Sequence, residues 1–304
     1  MNLLFNKKKY FLYIIILISF SFFINVFFGS RGVYPVDTFI HFDQGFRILK
    51  NDHPVKDYWI VHGFLVDYMQ AIFFSFFGEN WKAYVYHASF FNSAVCVSSF
   101  LLFTKLLKSN VNDAFIISIF ISLLAYPVSG TPFLDLHSSF FSLFGIYFII
   151  AGIILKKNYF WFVSSIFFSL SFLSKQVPAF YIIFLITVYG FYYSYSIRNI
   201  RPILNFCISG LLCLFTLYLF LIMSNISVKD FILQVILFPK SIGESRYGDR
   251  TLNINNIFFD LKLIYIVLIP YIYLNILEFK NKNNFASSKN FHIFIAIILF
   301  VISS

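Results

Sequence analysis

Apolar residues are grouped into nine runs along the chain, and mostly short polar segments separate them. Because a helix needs about 20 predominantly apolar residues to cross a bilayer, this pattern predicts nine membrane-spanning helices, the last of them short. The predicted spans are 10–29, 82–104, 113–128, 137–155, 158–174, 178–196, 202–224, 256–277 and 290–304. We therefore expect an all-α, polytopic integral membrane protein in which residues 1–304 form one domain.

Two polar segments, 30–81 and 225–255, are much longer than the others. In the first, four apolar residues recur at a spacing of three or four: Phe39, Phe42, Phe46 and Leu49. This spacing is typical of an amphipathic helix that lies in the membrane interface. A polar turn around Pro54 follows, and residues 63–77 predict a second short helix that ends at Gly78.

The composition excludes a soluble domain and predicts an orientation. Charged residues make up 12% of the chain, where about 25% is usual in soluble proteins. The net charge of +10 arises mainly in the N-terminus and the short segments between spans, so we expect no nucleic-acid partner. Those segments hold 12 of the 23 basic residues: Lys7, Lys8, Lys9, Lys105, Lys108, Lys156, Lys157, Arg198, Arg201, Lys280, Lys282 and Lys289. Since short cytoplasmic loops are rich in Lys and Arg, we expect a cytoplasmic-membrane protein with its N-terminus in the cytoplasm.

Both long segments then lie on the outer face of the membrane. Eleven of the 13 acidic residues and five of the six histidines fall on this predicted outer side. The distribution indicates that any chemistry takes place there.

A set of residues in the first long segment carries a family resemblance. It consists of Asp37, Gly45-Phe46-Arg47-Ile48-Leu49, Pro54, Asp57-Tyr58, His62-Gly63, Tyr68, Ala71 and Phe77-Gly78. Their order resembles the first outer loop of GT-C-type membrane glycosyltransferases, closest to the bacterial group related to protein O-mannosyltransferases and aminoarabinose transferases. Two later patches, 172–178 and 238–247, resemble segments of the same group.

The chain departs from the pattern of that group in three respects. Thr38 follows Asp37 where a second acidic residue is common, and Phe64 stands where proline usually follows the glycine. Members of the group also continue through several more spans, so we expect this chain to be a truncated or shortened relative.

The resemblance implies transfer of a sugar, with inversion, from a polyprenyl-phosphate donor to a cell-envelope glycan, lipid or protein on the outer face. It also implies that Asp37 is the general base that activates the acceptor, with Asp43 as the second candidate. Each of these residues has a structural alternative. Asp37 could cap the helix that follows it, and Asp43 could lie on a solvated helix face.

The resemblance further implies that Lys175, Arg246 and Tyr247 bind the donor phosphate, since a leaving phosphate needs fixed positive charge or N–H donors. Asp57 and His62 are the candidates for binding the acceptor. The alternatives are a Lys175 side chain that snorkels to the headgroups, a lipid or salt-bridge contact of Arg246 in a glycine-bounded loop, and loop hydrogen bonds for Asp57 and His62.

No residue is assigned to a metal, and the lipid-linked donor is the only small-molecule partner implied. Asp37 and His41 are four residues apart and could share a helix face, but two ligands do not make a site; a divalent metal stays an open alternative. Two other functions remain: a flippase or transporter of lipid-linked oligosaccharides, and a non-catalytic relative. A carrier would need ionisable residues deep within several spans, and the predicted spans are nearly free of charge at their centres.

Overall fold

The computed structural model describes residues 2–32 and 39–247, with the side chains of residues 8–32 and 39–242. Helices dominate this part of the chain, and it contains no β-strand. The helices are α1 (Asn2–Gly29), α2 (Ile40–Leu49), α3 (Leu65–Phe77), α4 (Trp81–Leu101), α5 (Val111–Leu124), α6 (Leu134–Leu155), α7 (Tyr159–Ser174), α8 (Gln176–Ser196), α9 (Arg201–Met223), α10 (Val228–Phe231) and α11 (Phe238–Tyr247). A π-helical turn, Leu102–Leu106, extends α4, and another, Ile232–Leu237, joins α10 to α11.

The predicted spans agree with the helices in position but only partly in length. Seven of the nine fall on described residues, and each of them coincides with one helix, α1 or α4 to α9. Five helices in this part of the chain are long and apolar enough to cross a membrane, namely Lys8–Gly29, Trp81–Leu106, Leu134–Leu155, Gln176–Ser196 and Arg201–Met223. The shorter α5 and α7, with 14 and 16 residues, leave the count of nine unconfirmed. The predicted spans 256–277 and 290–304 lie outside the described residues.

The span predicted at 113–128 ends too late. Helix α5 stops at Leu124, and Ala125 already has non-helical backbone angles. Pro127 explains the early end, because proline cannot continue a helix and it restricts the residue before it.

Contacts between helix ends define two ends of the bundle. At one end, the hydroxyl of Tyr13 in α1 donates to Asn112 in α5 at 2.9 Å. At the other end, the indole of Trp81 at the start of α4 donates to the carbonyl of Gly29 at 2.9 Å. Helices α2 and α3 lie at this second end, which we call the α2–α3 end.

The helices α6 and α7 pack closely because glycines face large aromatic rings. A Cβ atom added at Gly145 would lie 2.8 Å from the ring of Phe168, and one at Gly152 would lie 2.9 Å from the ring of Trp161. Packing of this kind, with small residues at helix contacts, is typical of membrane bundles.

The two short helices of the first long segment are confirmed, and the face that α2 buries within the protein is polar rather than the apolar stripe. Phe39 and Phe46 are 50% and 37% exposed, whereas Phe42 and Leu49 pack against residues of α3 and α4. Phe39 also contacts the ring of Trp81 at the start of α4. The residues that α2 buries are His41, Gln44 and Gly45. A polar face is buried here because α3 presents polar partners to it, which apolar spacing alone does not reveal.

The loop between α2 and α3 contacts the end of α7 and the segment that follows α9. The Gln234 side chain accepts a hydrogen bond from the Ile60 N–H at 3.1 Å and donates to the Val55 carbonyl at 2.9 Å. Gly63 meets the end of α7 so closely that an added Cβ would lie 1.8 Å from the Leu173 carbonyl oxygen. The loop therefore bridges α3 to α7 and to the segment after α9.

We expect Gly63→Ala to lower the thermal stability of the purified protein, because the new methyl group has to push the loop off the α7 backbone. Overpacking of this kind costs about 1–3 kcal/mol. The matched control is Gly32→Ala, where an added Cβ meets nothing within 4 Å. Equal melting temperatures for the two variants in detergent would contradict this packing.

Candidate functional site

A buried carboxylate lies at the centre of the polar cluster at the α2–α3 end. The Nδ1 atom of His41 is 2.6 Å from Oδ1 of Asp67, and Nδ1 of His62 is 4.0 Å from Oδ2 of the same carboxylate. Asp67 has no exposed surface, while His41 and His62 are 1% and 6% exposed. We call His41, His62 and Asp67 the Asp67 cluster.

Three separate parts of the chain position this cluster. His41 comes from the first turn of α2, His62 from the loop, and Asp67 from the first turn of α3. A helix N-terminus favours negative charge in its first turn, which suits Asp67. The Nδ1 atom of His62 lies 2.8 Å from its neighbouring carbonyl, that of Gly63, and this hydrogen bond fixes the ring.

The hydrogen bonds of the Asp67 carboxylate are completed from α2. With its amide nitrogen turned towards the carboxylate, Gln44 donates to both oxygens at 2.8 and 3.1 Å. The next residue, Gly45, allows this approach, since an added Cβ would lie 2.7 Å from Cγ of Gln70 on α3.

Burial shifts the pKa of both kinds of ionisable group in the cluster, the carboxyl and the imidazole. It raises the pKa of the Asp67 carboxyl to about 7, a rise that the nearby His62 partly offsets. Burial also lowers the pKa of His62 below its ordinary value. Both shifts have the usual cause, because a low-dielectric environment disfavours the charged form of any group.

A second chain of buried polar groups continues from α3 into the bundle. Nδ1 of His87 lies 2.9 Å from Oε1 of Gln70, and Nε2 of His87 lies 3.1 Å from Nε2 of His137. The hydroxyl of Tyr126 lies 2.6 Å from Nδ1 of His137. His87 and His137 are fully buried and belong to the first two turns of α4 and α6, so the chain runs across the α2–α3 end rather than through the membrane.

Lys175 lies beside the Asp67 cluster on the opposite wall. It separates α7 from α8 with an extended backbone, and its ammonium group forms an ion pair with Asp135. Its charge contributes to the lowered pKa of His62. This confirms that Lys175 stands at a break in the apolar sequence, and the ion pair gives its charge a partner within the protein.

An apolar groove of about 480 Å³ begins next to this wall. It runs between α7 and α9 from Leu173 to Phe162, a distance of about 16 Å at 1.5 Å per residue. Phe64 lines the groove near Leu173. It follows Gly63, the residue that contacts the Leu173 backbone. The hydroxyls of Ser169 and Thr216 in its lining bond to backbone carbonyls of their own helices. That of Ser209 has no hydrogen-bond partner among the described residues, and the rest of the lining is mostly apolar, so the groove suits a hydrocarbon chain.

Of the two predicted catalytic residues, the structure describes only Asp43, which lies outside this cluster. Asp37 lies outside the described residues, so its predicted role as base stays a prediction. Asp43 is exposed and pairs with Arg47 at 2.8 Å, one turn along α2. This matches the solvated helix face that we left open for Asp43, on the side of α2 that faces away from Gln44.

The two predicted acceptor residues make different contacts. Asp57 is exposed and accepts a hydrogen bond from the His53 N–H at 2.7 Å within the turn. His62 is buried beside Asp67. Of the two, only His62 belongs to the Asp67 cluster, and acceptor binding by either residue stays a prediction.

The loop predicted around the last two phosphate candidates is a helix in the structure. Arg246 and Tyr247 end α11, because the segment 238–247 has no proline beyond its first turn to interrupt a helix. Their side chains lie outside the described residues, so phosphate binding by them stays a prediction.

The sequence interpretation missed Asp67, the residue at the centre of the site. A signal was present: Asp67 is an acid in an otherwise apolar helix, Leu65–Phe77, and buried acids require partners. The sequence places Asp37 four residues before His41, whereas the structure places the His41 ring beside Asp67 of the next helix. The three residues of the cluster are separated by up to 26 positions along the chain. The packing of α2 against α3 brings them together.

The cluster can support two kinds of chemistry. A carboxylate bonded to an imidazole can transfer protons, and two imidazoles with one carboxylate can hold a divalent metal. Comparison of the chain with protein-family models, with curated proteins and with solved structures finds no match. The candidate chemistry therefore depends on the geometry of the site itself.

We expect Tyr126→Phe to destabilise the protein by about 1–3 kcal/mol, because it removes a short hydrogen bond from a buried imidazole. Thermal unfolding in detergent measures the effect. Tyr181→Phe is the control, since this tyrosine is 55% exposed. If both variants unfold at the wild-type temperature, the buried chain contributes nothing to stability.

Proposed function

We propose that the protein is a membrane glycosyltransferase that moves a sugar from a polyprenyl-phosphate donor to a cell-envelope acceptor. The α2–α3 end is then the outer end of the bundle. One observation carries the proposal: an apolar groove between two helices ends beside a buried polar cluster and a lysine.

The groove supports a donor with a long hydrocarbon chain. A prenyl chain in the groove would lie along α7 and α9, and its phosphate would leave the groove near Leu173. Lys175 is two residues further along, where an ammonium group can meet the charge that develops on a leaving phosphate. Its partner Asp135 is 42% exposed. Lys175 can therefore leave Asp135 and pair with a phosphate without leaving a buried carboxylate unpaired.

The acceptor side of the reaction depends on residues next to α2. By the resemblance, Asp37 is the general base, and it precedes the first residue of α2 by three positions. His62, predicted to bind the acceptor, lies at the junction of the Asp67 cluster with the Gly63 contact. Base, phosphate site and acceptor site would then meet at one end of the bundle.

A second candidate, a proton-coupled carrier, is favoured by the buried chain from Gln70 to Tyr126. Chains of ionisable residues in transporters mark pathways across the membrane. Here His87 and His137 both belong to helix ends at the α2–α3 end, and the described parts of the spans place no acidic or basic residue at mid-helix beyond them. The geometry therefore favours the transferase.

The test follows release of polyprenyl phosphate by the protein in nanodiscs, supplied with a panel of polyprenyl-phosphate sugars and a cell-envelope acceptor. We expect one donor to react. Asp37→Asn should lower the rate by about 10²- to 10⁴-fold, the usual contribution of a general base. Lys175→Met should lower it by about 10²-fold or more, the usual effect of removing a charge-stabilising group.

Matched controls are Asp230→Asn and Lys229→Met, which change exposed residues at the same end of the bundle. Both should keep the wild-type rate. Transfer that survives in Asp37→Asn and Lys175→Met contradicts the assigned roles. Movement of an intact lipid-linked sugar across a vesicle membrane, without release of polyprenyl phosphate, would support the carrier instead.

A further inference from the structure

We propose that His41, His62 and Asp67 bind one divalent transition-metal ion, Zn²⁺ before others. The proposal stands on the ligand geometry of the Asp67 cluster and does not depend on the transfer reaction. Each residue offers one ligand atom, and the three atoms lie within 4.8 Å of one another.

These distances suit a metal after small adjustments. Ligand atoms at 2.0–2.2 Å from a tetrahedral zinc lie about 3.3 Å apart. The separations of 2.6 Å from His41 and 4.0 Å from His62 to the Asp67 carboxylate fall on either side of this value. The three ligand atoms lie at most 4.8 Å from one another, so rotation of the two rings that shifts a ligand atom by up to about 1.5 Å brings all three to a common centre.

The chemical nature of the three ligands also favours a transition metal. Two imidazoles with one carboxylate form a ligand set typical of zinc enzymes and non-haem iron sites, whereas calcium and magnesium prefer oxygen ligands alone. Three protein ligands leave the fourth zinc position open. His62 is the most exposed of the three, so a fourth ligand would enter from its side.

A hydrogen-bonded His41–Asp67 pair does not by itself account for the arrangement. It leaves unexplained why a second imidazole, from a different part of the chain, is buried within 4.0 Å of the same carboxylate. A bound cation gives both rings a ligand role and supplies the countercharge that a buried carboxylate needs. The neighbouring Lys175 cannot supply that charge while it pairs with Asp135.

Supporting hydrogen bonds of the type that orient metal ligands are present. Gln44 donates to both oxygens of Asp67, and such contacts fix ligand orientation in metal sites. A metal at Nδ1 of His62 takes the place of the hydrogen bond from that atom to the Gly63 carbonyl. One turn beyond Asp67 on α3, the buried Nε2 atom of Gln70 has no hydrogen-bond partner among the described residues, which leaves a donor for a water molecule next to the cluster.

The test measures metal content and needs no sugar donor. The full chain is purified without a metal column, and zinc is counted by inductively coupled plasma mass spectrometry. We expect about one zinc ion per chain. After chelation, titration with Co²⁺ should give the saturable visible d–d bands of a tetrahedral site.

Variants locate the ion. His62→Gln should weaken Co²⁺ binding at least tenfold, whereas His53→Gln, from the same loop but bonded to the Tyr68 hydroxyl at 2.9 Å, should bind like wild type. Asp67→Asn keeps the shape of the side chain and is the second variant if His62→Gln does not fold; it should also weaken binding. Wild-type protein without stoichiometric metal and without a saturable Co²⁺ spectrum overturns the proposal, as do equal affinities for Asp67→Asn and wild type.

Discussion

The burial of Asp67 is the constraint on which the α2–α3 end depends. A carboxylate without exposed surface needs hydrogen bonds or a countercharge. It draws hydrogen bonds from His41 and Gln44 of α2, and His62 of the loop lies 4.0 Å away. This need explains why α2 buries its polar face and why glycine stands at position 45, where α2 approaches Gln70 of α3. One desolvated charge thus links three segments into a fixed wall at one end of the bundle.

The same wall connects two chemically different environments. On one side, the apolar groove between α7 and α9 offers space for a hydrocarbon chain. On the other, the Asp67 cluster and Lys175 offer imidazole, carboxylate and ammonium groups within a short distance of the groove end. Enzymes that act on lipid-linked phosphates need both environments side by side. We favour a transferase over a carrier because the described parts of the spans place no acidic or basic residue at mid-helix.

Much of the architecture, but little of the site, could be predicted from the sequence. Helix positions followed from apolar runs, and α2 and α3 from helical spacing around Phe42 and from the break at Gly78. The length of α5 was overestimated because hydropathy ignores Pro127. The sequence interpretation missed Asp67 because the cluster forms through tertiary contacts between α2, the loop and α3. No local pattern in a single sequence reveals such contacts. Lys175 was found because a lysine between two apolar runs is visible without a structure, but its partner Asp135 was not.

The most direct test of the central claim is a photocrosslinking measurement with a polyprenyl phosphate that carries a diazirine in its chain. The protein in nanodiscs is irradiated with this probe, digested and mapped by mass spectrometry. We expect crosslinks concentrated on groove residues of α7 and α9, such as Ile166 and Leu212, and we expect unlabelled polyprenyl phosphate to suppress them. Crosslinks spread evenly over exposed apolar residues, including Phe184 and Val188 of α8, would contradict it.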